Sequence, residues 1–216
     1  DLDEHGRLGP WTALGPLPPG TRVLYSTAWV LGGALYAMDS KLPEEGDVTL
    51  TLRASLQGGL GPFVESDWLP GFRGHPEYAF ARGFVYVLGG YVAADAGDVV
   101  IAEVQGAPLS QDGTVGAPET AEALPAPTAF GTVTVVDNYL FLVGGKSAIF
   151  AADGSALVAS TEVEASGALG GFTAQAALPE GRTSHATVLA GDFLYVTGGG
   201  YDGPGLDTVY AARVRR

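Results

Sequence analysis

Apolar runs of about five residues recur along the chain, and each is cut short by glycine or proline. Phe84-Val85-Tyr86-Val87-Leu88 runs into Gly89-Gly90. Tyr139-Leu140-Phe141-Leu142-Val143 runs into Gly144-Gly145, and Phe193-Leu194-Tyr195-Val196-Thr197 into Gly198-Gly199. No segment carries a persuasive 3.6-residue apolar period, so the pattern predicts short strands and almost no helix.

The strands come in repeats. Gly6-Arg7-Leu8-Gly9-Pro10-Trp11 returns as Gly58-Gly59-Leu60-Gly61-Pro62-Phe63. It returns again as Gly113-Thr114-Val115-Gly116-Ala117-Pro118 and as Gly167-Ala168-Leu169-Gly170-Gly171-Phe172. The leading glycines lie 52, 55 and 54 residues apart. A Leu-Pro pair follows each copy, at Leu17-Pro18, Leu69-Pro70, Leu124-Pro125 and Leu178-Pro179. In the first copy Ala34-Leu35-Tyr36-Ala37 aligns with the apolar strand, and Met38-Asp39-Ser40 falls where the glycine pair stands elsewhere.

Each repeat reads as four strands. In the last copy the first is His185 to Leu189, the turn is Ala190-Gly191-Asp192, the second is Phe193 to Thr197 and the third is Thr208 to Val214. The fourth, visible in the third copy, begins near Phe172 and ends before Leu178. Four strands repeated at about 50 residues is the arithmetic of a β-propeller blade. The order Leu-Pro, Arg, apolar strand, Gly-Gly resembles the kelch repeat, best from Leu178-Pro179 through Arg182 and His185 to Gly198-Gly199 and Tyr210. Copy one lacks the glycine pair, and copy three has Thr128 where Arg73 and Arg182 stand.

The expected fold is therefore all-β, a four-bladed kelch-like propeller in a single domain over residues 1–216. Blade 1 spans about 19–70, blade 2 about 71–125, blade 3 about 126–179, and blade 4 about 180–216 plus 1–18. A lone fourth strand, Trp11 to Leu17, closes the last blade. Half of an eight-bladed ring is the alternative. Trp11, Phe63 and Phe172 repeat with the fold and are expected to pack between blades.

Composition narrows the chemistry. The 33 glycines and 14 prolines mark a turn-dense chain, and an apolar fraction of 46 % marks a folded one. Eleven basic residues against 24 acidic ones give a net charge of −13, which disfavours nucleic acid as a partner. There is no cysteine, which removes disulfides, thiolate metal sites and a cysteine nucleophile. No run approaches the ~18 apolar residues of a membrane helix. Met38 is the only methionine, so Asp1 reads as a processed end or the edge of a fragment. With the repeat type, that leans to an exported protein, extracellular or periplasmic.

No catalytic pattern stands out. His5, His75 and His185 occupy no HxH or HExxH spacing, and GxSxG is absent. Asp95 and Asp202 lie in matching loops but lack a calcium-loop spacing. The kelch resemblance implies galactose-oxidase-like enzymes, whose copper site uses a cysteine–tyrosine crosslink. A chain without cysteine excludes that chemistry. Sialic-acid-mutarotase-like propellers are also similar, but none of their active-site residues matches here. No cofactor, no metal and no enzyme activity are expected.

The candidate binding residues are Arg73, His75, Tyr91, Lys146, Arg182, His185, Tyr201 and Asp202. Arg73, His75, Arg182 and His185 sit at inner-strand entrances. Tyr91 and Tyr201 follow their glycine pairs, with Lys146 in a similar place. Together they suit protein or glycan recognition on one face; hydrogen bonding within the fold is the competing explanation. The expected function is a non-enzymatic assembly module contacting other protein chains in a larger complex or at the cell surface. The alternative is a carbohydrate- or small-ligand-binding propeller.

Overall fold

The computed structural model describes residues 13, 27–31, 33–41, 48–70, 73–95, 97–110, 114–151, 154–200 and 205–214. Among them every regular element is a strand, as the short apolar runs predict. Each repeat makes one small antiparallel sheet. Sheet 1 orders β1 (Thr27–Leu31), β2 (Ala34–Lys41), β3 (Val48–Ser55) and β4 (Val64–Pro70). Sheet 2 begins with β5 (Glu77–Ala81) and β6 (Phe84–Leu88). A two-stranded ribbon follows, β7 (Tyr91–Val92) with β8 (Val99–Val100), before β9 (Val104–Pro108) and β10 (Glu119–Thr120) complete the sheet. Sheet 3 is β11 (Thr132–Val136), β12 (Tyr139–Val143), β13 (Val158–Glu162) and β14 (Thr173–Ala174). Sheet 4 is β15 (Ala186–Ala190), β16 (Phe193–Thr197) and β17 (Val209–Arg213), three strands among the described residues.

The motifs acquire physical roles. Gly-x-Leu/Val-Gly is the connection from third to fourth strand: Leu109 bridges Val115 and Val163 bridges Leu169. Gly61, Gly116 and Gly170 donate equivalent N–H bonds to Ser55, Pro108 and Glu162. The glycine pair ends the second strand because its residues take positive φ, 58° and 88° at Gly89-Gly90 and 65° and 96° at Gly144-Gly145. Where the pair is missing, in sheet 1, β2 runs eight residues through Met38-Asp39-Ser40 to Lys41.

Three strands differ in their limits from expectation, and β17 is one residue shorter at each end than Thr208 to Val214. β15 starts at Ala186, because the His185 side chain turns to sheet 3, with Nε2 3.0 Å from Thr132 Oγ1. β14 covers only two residues, although the chain beyond it still follows the same edge, with Gln175 N–H donating to Val158 O at 2.8 Å and Leu178 N–H to Ala156 O at 2.9 Å. The predicted strand Trp11 to Leu17 lies outside the described residues, apart from Ala13.

Sheets 2 and 3, and sheets 3 and 4, pack face to face. Ala79, Tyr86, Leu88 and Val104 of sheet 2 bury against Leu140, Leu142 and Val163 of sheet 3, and Phe172 packs on the same cluster. Phe63 is half-buried and Trp11 is not described. Val143 and Val158 of sheet 3 bury against Leu194 and Val196 of sheet 4. Polar ties add to the packing: the Tyr86 hydroxyl donates to Gly167 O at 2.8 Å, and the Thr134 and Thr187 hydroxyls meet at 2.7 Å.

The backbone joins the sheets at the glycine pairs. Gly90 N–H donates to Thr128 O, and Gly145 N–H to Arg182 O, both at 2.8 Å. A Cβ on Gly144 would stand 2.6 Å from Arg182 O and 2.6 Å from His185 Cε1, and one on Gly89 would lie closer still to Thr128 O. Gly83 has a similar φ of 81° but open space around it. Gly144→Ala therefore adds a backbone clash to the left-handed strain that Gly83→Ala incurs alone. The expected loss is about 3 kcal/mol or more for Gly144→Ala against about 1–2 kcal/mol for Gly83→Ala, read from urea unfolding.

Candidate functional site

Arg73 and Arg182 turn inward. Arg73 Nη1 donates to Glu103 O at 3.2 Å and to Gly89 O at 3.4 Å, and Nη2 meets the Glu103 carboxylate. Arg182 repeats the arrangement: Nη1 donates to Gly198 O at 2.6 Å and to Thr208 O at 3.2 Å, and Nη2 to Thr208 Oγ1. The Tyr210 ring lies 4.4 Å from the guanidinium carbon, a cation–π contact. Arg182 is 1 % exposed and Arg73 6 %. Each guanidinium thus bonds the carbonyl of its own glycine pair and the start of the third strand. Buried donors need acceptors, and backbone carbonyls with the Glu103 carboxylate and Thr208 Oγ1 supply them to the Nη atoms, while Arg182 Nε is buried without a hydrogen-bond partner. Burial lowers the Arg73 pKa, and the Glu103 charge opposes that.

The histidines split in role. His75, with φ of 48°, is half-buried and stacks on Phe130 at 3.8 Å between ring centres. Tyr91 stands 6.0 Å from His75 and 6.2 Å from Phe130. Phe130 has φ of 59° and Ser184 of 52°, so His75, Phe130 and Ser184 share one strained position just ahead of the three inner strands. His185 instead bonds Thr132 across the sheet boundary. Burial holds both histidines neutral, lowering each to about pH 4, with Arg182 adding to the effect at His185. Glu77 opens β5 two residues after His75, and burial pushes its carboxyl well above the usual range.

Lys146 and Tyr91 hold equivalent backbone positions, bridging Ala129 and Gly74. In the fourth repeat Gly200 takes that position, its N–H donating to Thr183 O at 2.9 Å. Tyr201 therefore falls one residue beyond the match, and it and Asp202 lie outside the described residues. Lys146 is buried. The structure thus brings His75 and Tyr91 together, and sets Arg73, Lys146, Arg182 and His185 within or between sheets. Phe130, Glu77 and Glu103 escaped the sequence reading. Phe130 and His75 align by repeat position, which is the signal that could have found the aromatic group. Glu103 and Thr208 follow their glycine pairs at different distances, so spacing hides their common role.

Asp95 sits in an exposed turn at the ribbon tip, where Gly97 N–H donates to Ala94 O. Among the described residues no group of three or more His, Cys, Asp or Glu could hold a metal ion. No helix there is long and apolar enough to cross a membrane.

No protein-family model matches the chain. No curated protein matches it either. Among solved structures, that of YjhT is similar in fold, with a TM-score of 0.70 at 17 % identity. The match covers 94 % of this chain and 66 % of that one, so the chain spans less than two thirds of the YjhT length.

A pH dependence follows from the histidines. Between about pH 4 and 6.5 the unfolded chain binds protons at His75 and His185 that the folded chain refuses. These residues thus stabilise the fold above that window, and the contribution is lost as pH falls through it. Glu77 has the opposite sign: its raised pKa costs stability as pH rises above the unfolded value near 4.5. Urea midpoints measured from pH 7 to 4 are expected to fall less steeply in His75→Phe and His185→Asn than in the parent. Glu77→Gln is expected to raise the midpoint at pH 7.

Proposed function

We propose that the four sheets are blades of a kelch-like β-propeller and that the protein is a non-enzymatic assembly module. It contacts other protein chains in a larger complex or at a cell surface. One observation supports this reading: the outer face of sheet 4 is built like the faces that join sheets 2, 3 and 4, yet its described apolar residues are exposed. Val188 is 56 % exposed and Val209 60 %. Their counterparts in sheet 2, Ala79 and Val104, are buried under sheet 3. Phe193 on the same face is also exposed. Gly198 keeps the positive φ of its repeat, 67°, with nothing within 4 Å of a built Cβ. Gly89 and Gly144 hold the next repeat's backbone at that point. An apolar sheet face with a ready backbone socket is a protein-contact surface.

The alternative, a glycan or small-ligand site, draws on the His75, Tyr91 and Phe130 ring cluster, since aromatic faces suit sugar stacking. It no longer draws on Arg73 and Arg182, whose donors point into the fold.

The double substitution Val188→Glu/Val209→Glu tests the assembly reading. Both positions are open in the single chain, so its thermal midpoint should move by no more than a few degrees, as for other surface changes. Native mass spectrometry should show loss of assembly. A large drop in the midpoint without change in stoichiometry would mean the face is internal, and the assembly reading falls.

A further inference from the structure

One loop of sheet 3 reverses the usual chemistry of a turn. Between β12 and β13 the chain leaves the sheet at Lys146 and returns at Ser155. Lys146 bridges Ala129, Ser155 bridges Arg182, and Ser155 N–H donates to Gly145 O at 2.7 Å. The neck of the loop is thus closed, and both of its sides are tied to backbone outside it. At the far side of the loop Ala151 N–H donates to Ala148 O at 3.2 Å, a tight turn with Ile149 and Phe150 at its corners. Corner positions favour glycine, proline, asparagine, aspartate and serine, which suit the turn backbone. Here both corners are apolar. Ile149 packs on the cluster of Val100, Ala129 and Phe130, while Phe150 is 94 % exposed. Sheet 3 has a packed sheet on each face, so the exposure of Phe150 belongs to the loop itself and not to an end of the chain. A closed neck and an inward anchor hold the Phe150 ring out in advance, which lowers the ordering cost of burying it against a partner.

The surroundings define what the ring meets. The β7–β8 ribbon joins the same cluster through Tyr91 and Val100. Next to Val100, Val99 is exposed, and the ribbon also carries exposed Asp95 and Asp98. Loop and ribbon both leave their sheets at the glycine-pair end. In sheets 2, 3 and 4 the described basic residues of that end, Arg73, Lys146 and Arg182, are buried. Asp95, Asp98, Glu103 and Glu180 are exposed there. The exposed Arg82 and Arg213 lie at the other end of their sheets, Arg82 in the β5–β6 turn and Arg213 opposite Phe193. The end that presents Phe150 and Val99 is therefore acidic in its exposed charge. Such a field attracts a cationic partner and repels an anionic lipid surface.

We propose that this end binds a cationic peptide segment of a partner protein. An aromatic or large aliphatic side chain of the segment packs on Phe150 and Val99, and its lysines or arginines face Asp95 and Asp98. The apolar anchor supplies most of the affinity, and the charges direct approach and register. The site is separate from the exposed face of sheet 4, and neither reading needs the other.

A displayed library of random dodecapeptides, panned on the folded chain, is the probe. Enriched peptides are expected to combine an aromatic or large aliphatic residue with lysine or arginine. A synthetic copy of the most enriched peptide should lose about tenfold or more in affinity with Phe150→Ala. It should also weaken with Asp95→Asn/Asp98→Asn and with added salt. These positions are exposed, so circular dichroism of the variants should match the parent. The control is Asp137→Asn/Asp192→Asn, which removes the same charge from the turns at the other end and should leave binding unchanged. Absence of enrichment, or enriched peptides indifferent to Phe150→Ala, overturns the proposal. Equal weakening in the control pair reduces the attraction to net charge and overturns it as well. Phe150-dependent binding to phosphatidylcholine vesicles, without peptide binding, assigns the loop to a membrane surface instead.

Discussion

Backbone touches backbone at the glycine pairs Gly89-Gly90 and Gly144-Gly145, and the packing of sheets 2, 3 and 4 depends on that approach. Gly90 and Gly145 donate their N–H groups to carbonyls at the entrance of the next repeat. Such contact needs a residue without a Cβ and with φ in the left-handed region. The bond fixes the distance between consecutive sheets. That distance in turn sets how deeply Tyr86, Leu88, Leu140 and Leu142 interdigitate. One methyl group at this point would hold the sheets apart along their whole length.

The arginines belong to the same device. By donating to Gly89 O and Gly198 O, Arg73 and Arg182 use the carbonyls that the glycine turn leaves unpaired inside each sheet. A guanidinium reaches the turn and the third strand at once, so it ties the two ends of a long loop. The loops themselves vary, from a ribbon after Gly90 to a shorter path after Gly199. The arginine makes that variation harmless to the core. The third repeat has Thr128 there, whose hydroxyl makes only a local bond to Ala126 O at 3.0 Å. In that repeat Lys146 is the buried cation nearest in sequence to the glycine pair.

Much of the fold was legible because it is written several times. The Tyr86, Phe141 and Tyr195 positions, the Leu-Pro pairs and the glycine pairs recur in one order, and each marks a fixed place in a sheet. Sites were less legible. Arg73 and Arg182 carry charge, and charge in a loop suggests a surface; only their acceptors reveal that they point inward. His75 and His185 look alike in sequence, both near an arginine, but one stacks on Phe130 and the other bonds Thr132. Their sequence offsets from that arginine are two and three residues, and a one-residue shift in extended chain turns a side chain to the other face.

The sequence by itself determined the strand class, the repeat period and the points where the chain must turn, because glycine, proline and alternating apolar residues act locally. It also excluded thiol chemistry and disfavoured nucleic acid through cysteine count and net charge. Only the tertiary structure decided which polar residues are free. It showed buried guanidinium groups bonded to carbonyls, a ring cluster assembled from residues 75, 91 and 130, and, among the described residues, an exposed apolar face on sheet 4. Those outcomes depend on contacts between residues tens of positions apart, and no local pattern records which neighbour a side chain meets.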